Sequence, residues 1–329
     1  MRAIYFTVIK YLSKYKNGIF SALILLFMAL FALSSEKYAA ATLRGVKLWA
    51  FNILPSVFPY FVFTALLTSL GSAAFLAARA AAFTRRAFGC GGMSGYGFFI
   101  AALSGYPGGS KITAELYAQN LITYNDAYKM SGFCSLSSPL FIVGTVGGMI
   151  LKDAAAGFAL LGAHLLSVFA TAIILRGRYV ESERRAPEIK TPDNVIYNAV
   201  YDSVISILVL GGIVTVYFVL IEMLSDLGAF ALPIRFFTLV FGDPVLAQGF
   251  AFGLVECTTG ISAAAESSSF FLLPAIGFLI SFGGLSVMTQ SVVFLKKAKI
   301  KTARFFLSKI LHAVFTFLFL VIFCLLTRP

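Results

Sequence analysis

The sequence predicts an all-α polytopic membrane protein made of two inverted repeats, with about seven transmembrane helices and two re-entrant helical hairpins. Three observations predict it. Of its 329 residues, 59% are hydrophobic and only 12% charged, with a mean hydropathy of +0.90, whereas a soluble domain carries about 25% charged and about 45–50% apolar residues. The apolar residues are gathered in runs of span length. The chain also matches itself at an offset close to half its length. This composition excludes a cytosolic enzyme, a nucleic-acid binder and a disulfide scaffold. In a soluble chain a net charge of +12 would suggest a nucleic-acid partner, but in a membrane chain it reports first on topology. Cys90, Cys134, Cys257 and Cys324 stand singly, with neither CxxC nor ligand spacing, so no redox framework or zinc site is expected.

Spans are expected at residues 19–34, 47–70, 130–151, 154–175, 203–225, 270–294 and 305–326, each near the roughly 20 apolar residues that cross a bilayer. Two shorter apolar stretches, residues 94–104 and 245–255, run into polar, glycine-rich sequence and read as re-entrant hairpins. The basic residues favour that reading. With the N-terminus inside and both short stretches re-entrant, nineteen lysines and arginines fall in cytoplasmic loops and six outside, as the positive-inside rule requires. If the stretches spanned instead, the basic loop at residues 176–190 would be external. Lys309 lies just inside the last span and belongs to neither side. The first span follows a basic stretch and is read as retained, since no small-x-small site precedes Ser34; a cleavable signal peptide is the alternative.

The self-match is extensive. Residues 57–71 and 214–228 agree at seven of 15 positions without a gap. Leu103 to Gly108 then aligns with Val255 to Gly260, Phe133-Cys-Ser-Leu-Ser137 with Phe282-Gly-Gly-Leu-Ser286, and His164 with His312, the only two histidines in the chain. Each repeat reads as span, amphipathic surface segment (72–90 and 229–243), hairpin, span, span. An odd number of crossings separates equivalent points, which inverts the second repeat. The chain divides into a basic segment with the first helix (1–40), a first repeat (41–176), a charged linker (177–196) and a second repeat (197–329). Inverted repeats with interrupted helices are the architecture of secondary transporters, with substrate and coupling ion near the midplane; a duplication serving only as scaffold is the other reading.

The polar residues cluster at the breaks. In the first hairpin, Ser104, Gly105, Tyr106, Pro107, Gly108, Gly109, Ser110 and Lys111 end one helical arm and begin another, with Ser110 expected as N-cap. Glycines let a ligand approach the backbone, and a helix start favours an anion. Lys111 adds a charge there, or is simply a solvated lysine beside a tight turn. In the second hairpin, Glu256 is an ionisable group in a membrane segment, a functional candidate by default. It could bind a coupling proton or sodium ion, with Thr258 and Thr259 supplying neutral oxygens, or it could be a hydrogen-bonded structural carboxylate. Two spans are interrupted at matching places, by Ser135, Ser137 and Ser138 before Pro139 and by Gly283-Gly284 followed by Ser286 and Gln290. Taken singly, such serines often just permit close helix packing. His164 and His312 are expected to pack or hydrogen-bond, with proton relay the alternative. Asp202 and Glu222, near span ends, carry little weight. No nucleophile triad, metal cluster or GxxxxGK[ST] loop is present, so neither enzymatic activity nor a cofactor is expected.

The strings Arg44-Gly-Val-Lys-Leu-Trp49, Ser104-Gly-Tyr-Pro-Gly-Gly-Ser-Lys111, Phe133-Cys to Ser138-Pro-Leu-Phe141 and Ala163-His-Leu-Leu-Ser167 together resemble the sporulation integral membrane proteins of the YlbJ (SpoVV) type, which contain nucleoside-recognition or Gate domains. The resemblance runs from about residue 40 to the C-terminus and loosens in the second half. The order of elements is also similar to that of the concentrative nucleoside transporters. The resemblance implies a transporter-like fold, a role in endospore formation, and movement of dipicolinate, a planar dianion, across the outer forespore membrane. The expected partners are that small anion and the lipid bilayer. A nucleoside-type permease, or a non-transporting scaffold of spore assembly, are the rival functions.

Overall fold

The structure is a computed structural model that describes residues 2–70, 72–177 and 194–327. Most of the linker expected at 177–196, with Arg178, Arg184, Arg185 and Lys190, lies outside the described residues. Every element among those described is helical, as a chain that must satisfy its backbone polar groups within lipid requires.

Helix α1 (Arg2–Leu33) and α2 (Ser35–Leu48) meet at 105°. A wide-turned π segment, Trp49–Ile53, carries the chain into α3 (Leu54–Ser69). Helix α4 (Ser72–Ala87) follows, bent 91° from α3. Helices α5 (Gly92–Ser104) and α6 (Gly108–Ala118) form the first hairpin, and α7 (Tyr124–Phe133) leads through a non-helical stretch to the π segment Leu140–Ile150 and α8 (Ala154–Leu175). The second half follows an order similar to that from α3 onward: α9 (Val195–Asp226), α10 (Ala231–Phe241), the hairpin α11 (Pro244–Val255) and α12 (Cys257–Ala264), the broken pair α13 (Leu272–Phe282) and α14 (Gly284–Lys297), and α15 (Ala303–Thr327).

Local chemistry sets the boundaries. Thr123 caps α7 by accepting from the Asp126 amide at 3.0 Å, and Asp153 caps α8 at the Ala156 amide at 3.0 Å. Pro139 has no N–H and disfavours helix at Ser138, so the span expected at 130–151 is two pieces and not one helix. Gly283 and Gly284 have φ of +83° and +70°, a backbone that glycine adopts freely, and they separate α13 from α14. Among the described residues, with α13 and α14 counted together, four helices are long and apolar enough to cross a membrane, or up to six if each bent pair counts as one, so the number of about seven is not confirmed. One expectation is corrected. Ser110 is not an N-cap, because α6 already begins at Gly108 and takes Pro107 as its cap position; the proline ring holds that residue at the helix entrance and leaves Ser110 in the first turn.

Two apolar cores surround the two hairpins, and each draws on both halves of the chain. The first joins Tyr96, Ile112, Leu116, Met130 and Phe133 to Leu295 and Phe305. The second joins Leu246, Phe250, Ile261, Ile276 and Leu279 to Ile142, Val146 and Leu160. Val168 and Ala172 of α8 share the first core with Phe305 of α15, while Leu160 shares the second with Leu320. Helices α8 and α15 therefore run in opposite directions. Helix α2 runs antiparallel to α9: Lys37 and Tyr38 bond Asp226, Arg44 bonds Glu222, and the Trp49 indole donates to the Ile207 carbonyl at 3.0 Å. At one end of the molecule Arg176 donates to the Arg86 carbonyl at 2.9 Å, Lys129 to the Gly89 carbonyl at 2.6 Å, and the Lys301 amide to the Tyr124 hydroxyl at 3.3 Å. Basic loops distant in sequence thus meet there.

Candidate functional site

Each hairpin tip is pressed against the break in a neighbouring helix pair. At the first tip, Gly105 has φ +69° and its backbone lies so close to Ser138 that a Cβ would come within 2.6 Å of the Ser138 nitrogen. A Cβ on Gly109 would fall 1.6 Å from the Cys134 carbonyl oxygen. At the second tip, a Cβ on Gly284 would come within 2.8 Å of the Gly253 oxygen, and the Cys257 thiol donates to the Leu279 carbonyl at 3.3 Å. Glycine is required at these approaches by space, since any side chain would drive the tips off the breaks.

Between the tips and the breaks lies a cavity of about 360 Å³. Of the residues predicted from sequence, Ser104, Tyr106, Ser137, Ser138, Glu256, Thr258 and Gln290 line it. The wall is completed by Asn52, Thr145, Cys257 and Gly283, and by apolar side chains including Phe51, Val57, Phe141, Val214 and Ile280. An apolar wall with a few convergent polar groups is the usual make-up of a small-molecule site, and the volume lies near the lower end of the range of about 300–1,000 Å³.

The remaining predicted residues stand off the cavity. Gly105, Pro107, Gly108 and Gly109 shape the first tip. Lys111 is buried, ion-paired with Glu115 one helical turn on, and lies 4.9 Å from the centre of the Phe61 ring. Ser286 accepts from the Gln290 amide at 3.3 Å and so orients a cavity residue. The hydroxyls of Ser110, Ser135 and Thr259 are buried without a partner among the described residues.

Glu256 caps α12. Its two carboxylate oxygens accept from the amides of Thr258 at 3.2 Å and Thr259 at 2.7 Å, so the open helix end is closed by the chain's own carboxylate. The same residue borders the cavity.

The histidines bind the two halves together. The Ser137 amide donates to His164 Nε2 at 3.0 Å, which assigns the proton of a neutral ring to Nδ1, 2.8 Å from Ser281 Oγ. Ser281 continues to Thr316 at 2.7 Å, and Thr316 donates to the His312 carbonyl at 2.8 Å. His312 Nε2 donates to the His164 carbonyl at 3.1 Å, with ring centres 4.4 Å apart. The chain of bonds fixes the first break, through Ser137, to the C-terminal end of α13.

Sequence reasoning passed over Lys309. It is fully buried in α15, with Nζ 2.6 Å from the Tyr106 hydroxyl, 3.4 Å from the Ser135 carbonyl and 4.1 Å from the Tyr106 ring centre. The available signal was a charged residue inside an apolar run, expensive in a membrane unless it serves a site. Asn52, Thr145 and Cys257 were missed because nothing local distinguishes them; only the fold brings them to the cavity.

No family model matches the chain, and no solved structure matches it. Among curated proteins it is similar to the sporulation integral membrane protein YlbJ of Bacillus subtilis, with 27% identity over 321 residues, covering 86% of this chain and 76% of that protein.

Proposed function

We infer that this chain, an integral membrane protein of the YlbJ type, is a secondary transporter for a small carboxylate anion, dipicolinate being the substrate that the family resemblance favours. The observation that carries the reading is the cavity of about 360 Å³ bordered by both hairpin tips and both helix breaks. Transporters of inverted-repeat design hold substrate where interrupted helices from the two repeats converge. The repeated element order and the opposed directions of α8 and α15 support an inverted pair of Gate-like repeats. The gathering of Arg86, Lys129, Arg176 and Lys301 at one end supports a cytoplasmic location for that end and for the N-terminus. The relative's name supports a role in sporulation, and the family resemblance supports the outer forespore membrane as its site.

On this reading the polar tips and breaks bind the anion, and Glu256, at the cavity edge, takes up a coupling proton or sodium ion. The test is flux of labelled dipicolinate into proteoliposomes, with uridine and an unrelated dicarboxylate as competitors. Saturable flux that dipicolinate competes best, and that Glu256→Gln lowers without loss of folded protein, is the expected result. Preferential competition by uridine would favour a nucleoside permease, and absence of flux from folded, oriented protein would favour a scaffold. Lys111→Ala, which leaves Glu115 without its partner, is expected to lower flux as well.

A further inference from the structure

Lys309 has no carboxylate partner among the described residues. The ion pairs found there involve Lys37, Arg44 and Lys111 only, and the nearest groups to Lys309 Nζ are a phenol, a carbonyl and an aromatic face. A lysine fully buried among neutral groups alone carries its charge only at a cost, and an arriving anion would relieve that cost. Tyr106 lines the cavity, and the same residue takes the Lys309 bond on its oxygen. The phenol's own proton faces two backbone carbonyls, Ile280 and Ser281, each at 3.1 Å. A bond from an ammonium to a phenol oxygen polarises the phenol and makes its O–H a stronger donor.

We propose that Lys309, acting through Tyr106, is the counter-charge that makes the cavity select anions: the phenol turns its O–H from the Ile280 and Ser281 carbonyls to a carboxylate in the cavity while Lys309 holds the phenol oxygen. Lys309 is a positioning residue and Tyr106 the group that touches substrate. The inference rests on the anion reading given above. It adds the residue that carries the charge, in a helix remote in sequence from both hairpins. Lys111, occupied by Glu115, does not play this part.

The experiment uses the full chain purified in detergent and in proteoliposomes. Equilibrium binding and flux are measured for dipicolinate, with the uncharged pyridine-2,6-dicarboxamide as a competitor of matching shape. In Lys309→Met the Kd and KM for dipicolinate are expected to rise about tenfold or more, with the competitor's affinity unchanged. Lys309→Arg is expected to restore much of the loss. Tyr106→Phe, which keeps the ring and removes the hydroxyl, is expected to raise KM in the same direction, and the double variant to be no worse than Lys309→Met alone. Equal weakening of the charged and uncharged ligands, or a changed thermal transition with KM unchanged, would reduce Lys309 to a structural residue and overturn the proposal. Should Lys309→Met fail to fold, an unchanged KM in Tyr106→Phe overturns it. Binding that depends on Lys309 without flux would refute transport and leave this inference standing, whereas flux of dipicolinate indifferent to Lys309 would do the reverse. No binding of dipicolinate by the folded wild type overturns both.

Discussion

The close seating of the first hairpin on the first helix break can be tested by adding a single methyl group. In Gly109→Ala the new Cβ would stand 1.6 Å from the Cys134 carbonyl oxygen, 2.7 Å from its carbon and 2.9 Å from the Ala101 side chain. Ordinary contact lies near 3.4 Å or beyond, so hairpin and break must separate by almost 2 Å, roughly the difference of those distances. Two of the three obstructing atoms are backbone, which has no rotamer to escape into. Overpacking of this kind costs about 1–3 kcal/mol and occasionally more, and here the upper end applies. Helix propensity acts in the opposite sense, since Ala is favoured over Gly by up to about 1 kcal/mol in a helix interior. A net loss of about 2 kcal/mol or more is expected. Gly212→Ala is the control, because that residue also lies within a helix and a Cβ there meets nothing within 4 Å; it should be neutral or slightly stabilising. The assay is thermal unfolding of the purified protein in one detergent, followed by intrinsic fluorescence and by aggregation. Equal transition temperatures for Gly109→Ala and Gly212→Ala would refute the seating of tip on break.

Other consequences are independent of that contact. His164→Ala removes the partner of the Ser137 amide, which costs about 1–3 kcal/mol when left unsatisfied in the interior, and one of the two partners of the Ser281 hydroxyl, which keeps Thr316; the thermal transition should fall accordingly, and an unchanged transition would remove the ring from its bridging role. Asp243 caps α11 at the Val245 and Leu246 amides and accepts from Ser267, and the Ser267 bond first, with the amides, holds its carboxyl below the ordinary aspartate range. A depressed carboxyl contributes stability above the unfolded-state pKa and loses it as pH falls through the folded one. Asp243→Ala should therefore cost about 1 kcal/mol at neutral pH and progressively less below about pH 4; a pH-independent difference between wild type and variant would contradict this.

Much of the architecture was legible because membrane sequences have few ways to be wrong. The runs at 154–175 and 305–326 lie within helices of nearly those bounds, since an uninterrupted apolar stretch in lipid has only the helix available. The short stretches at 94–104 and 245–255 end where α5 and α11 end, because Gly105 and Glu256 mark where helix gives way. What was not legible depends on contacts across the chain. The 105° bend before α2 goes with pairing of that helix to α9, 180 or so residues away, and no local signal announces it. Seven of the proposed site residues border one cavity because breaks in a helix must be buried against something polar. Lys111 drew attention for its place beside the glycines, yet Glu115 four residues on was available to neutralise it. Lys309 was set aside as a span-end lysine, whereas the fold turns it inward onto Tyr106.

The most direct test of the account is to fill the cavity and leave the fold intact. Gly144 borders it, and a Cβ there makes only an ordinary contact with the Leu140 side chain, at 3.4 Å, so Gly144→Trp adds an indole at the cavity wall without a backbone clash. In proteoliposomes containing equal amounts of folded protein, the wild type should carry saturable flux of labelled dipicolinate and the Gly144→Trp protein, with its thermal transition preserved, should carry none. Undiminished flux through the filled cavity would contradict the placement of the substrate between the hairpin tips and the helix breaks.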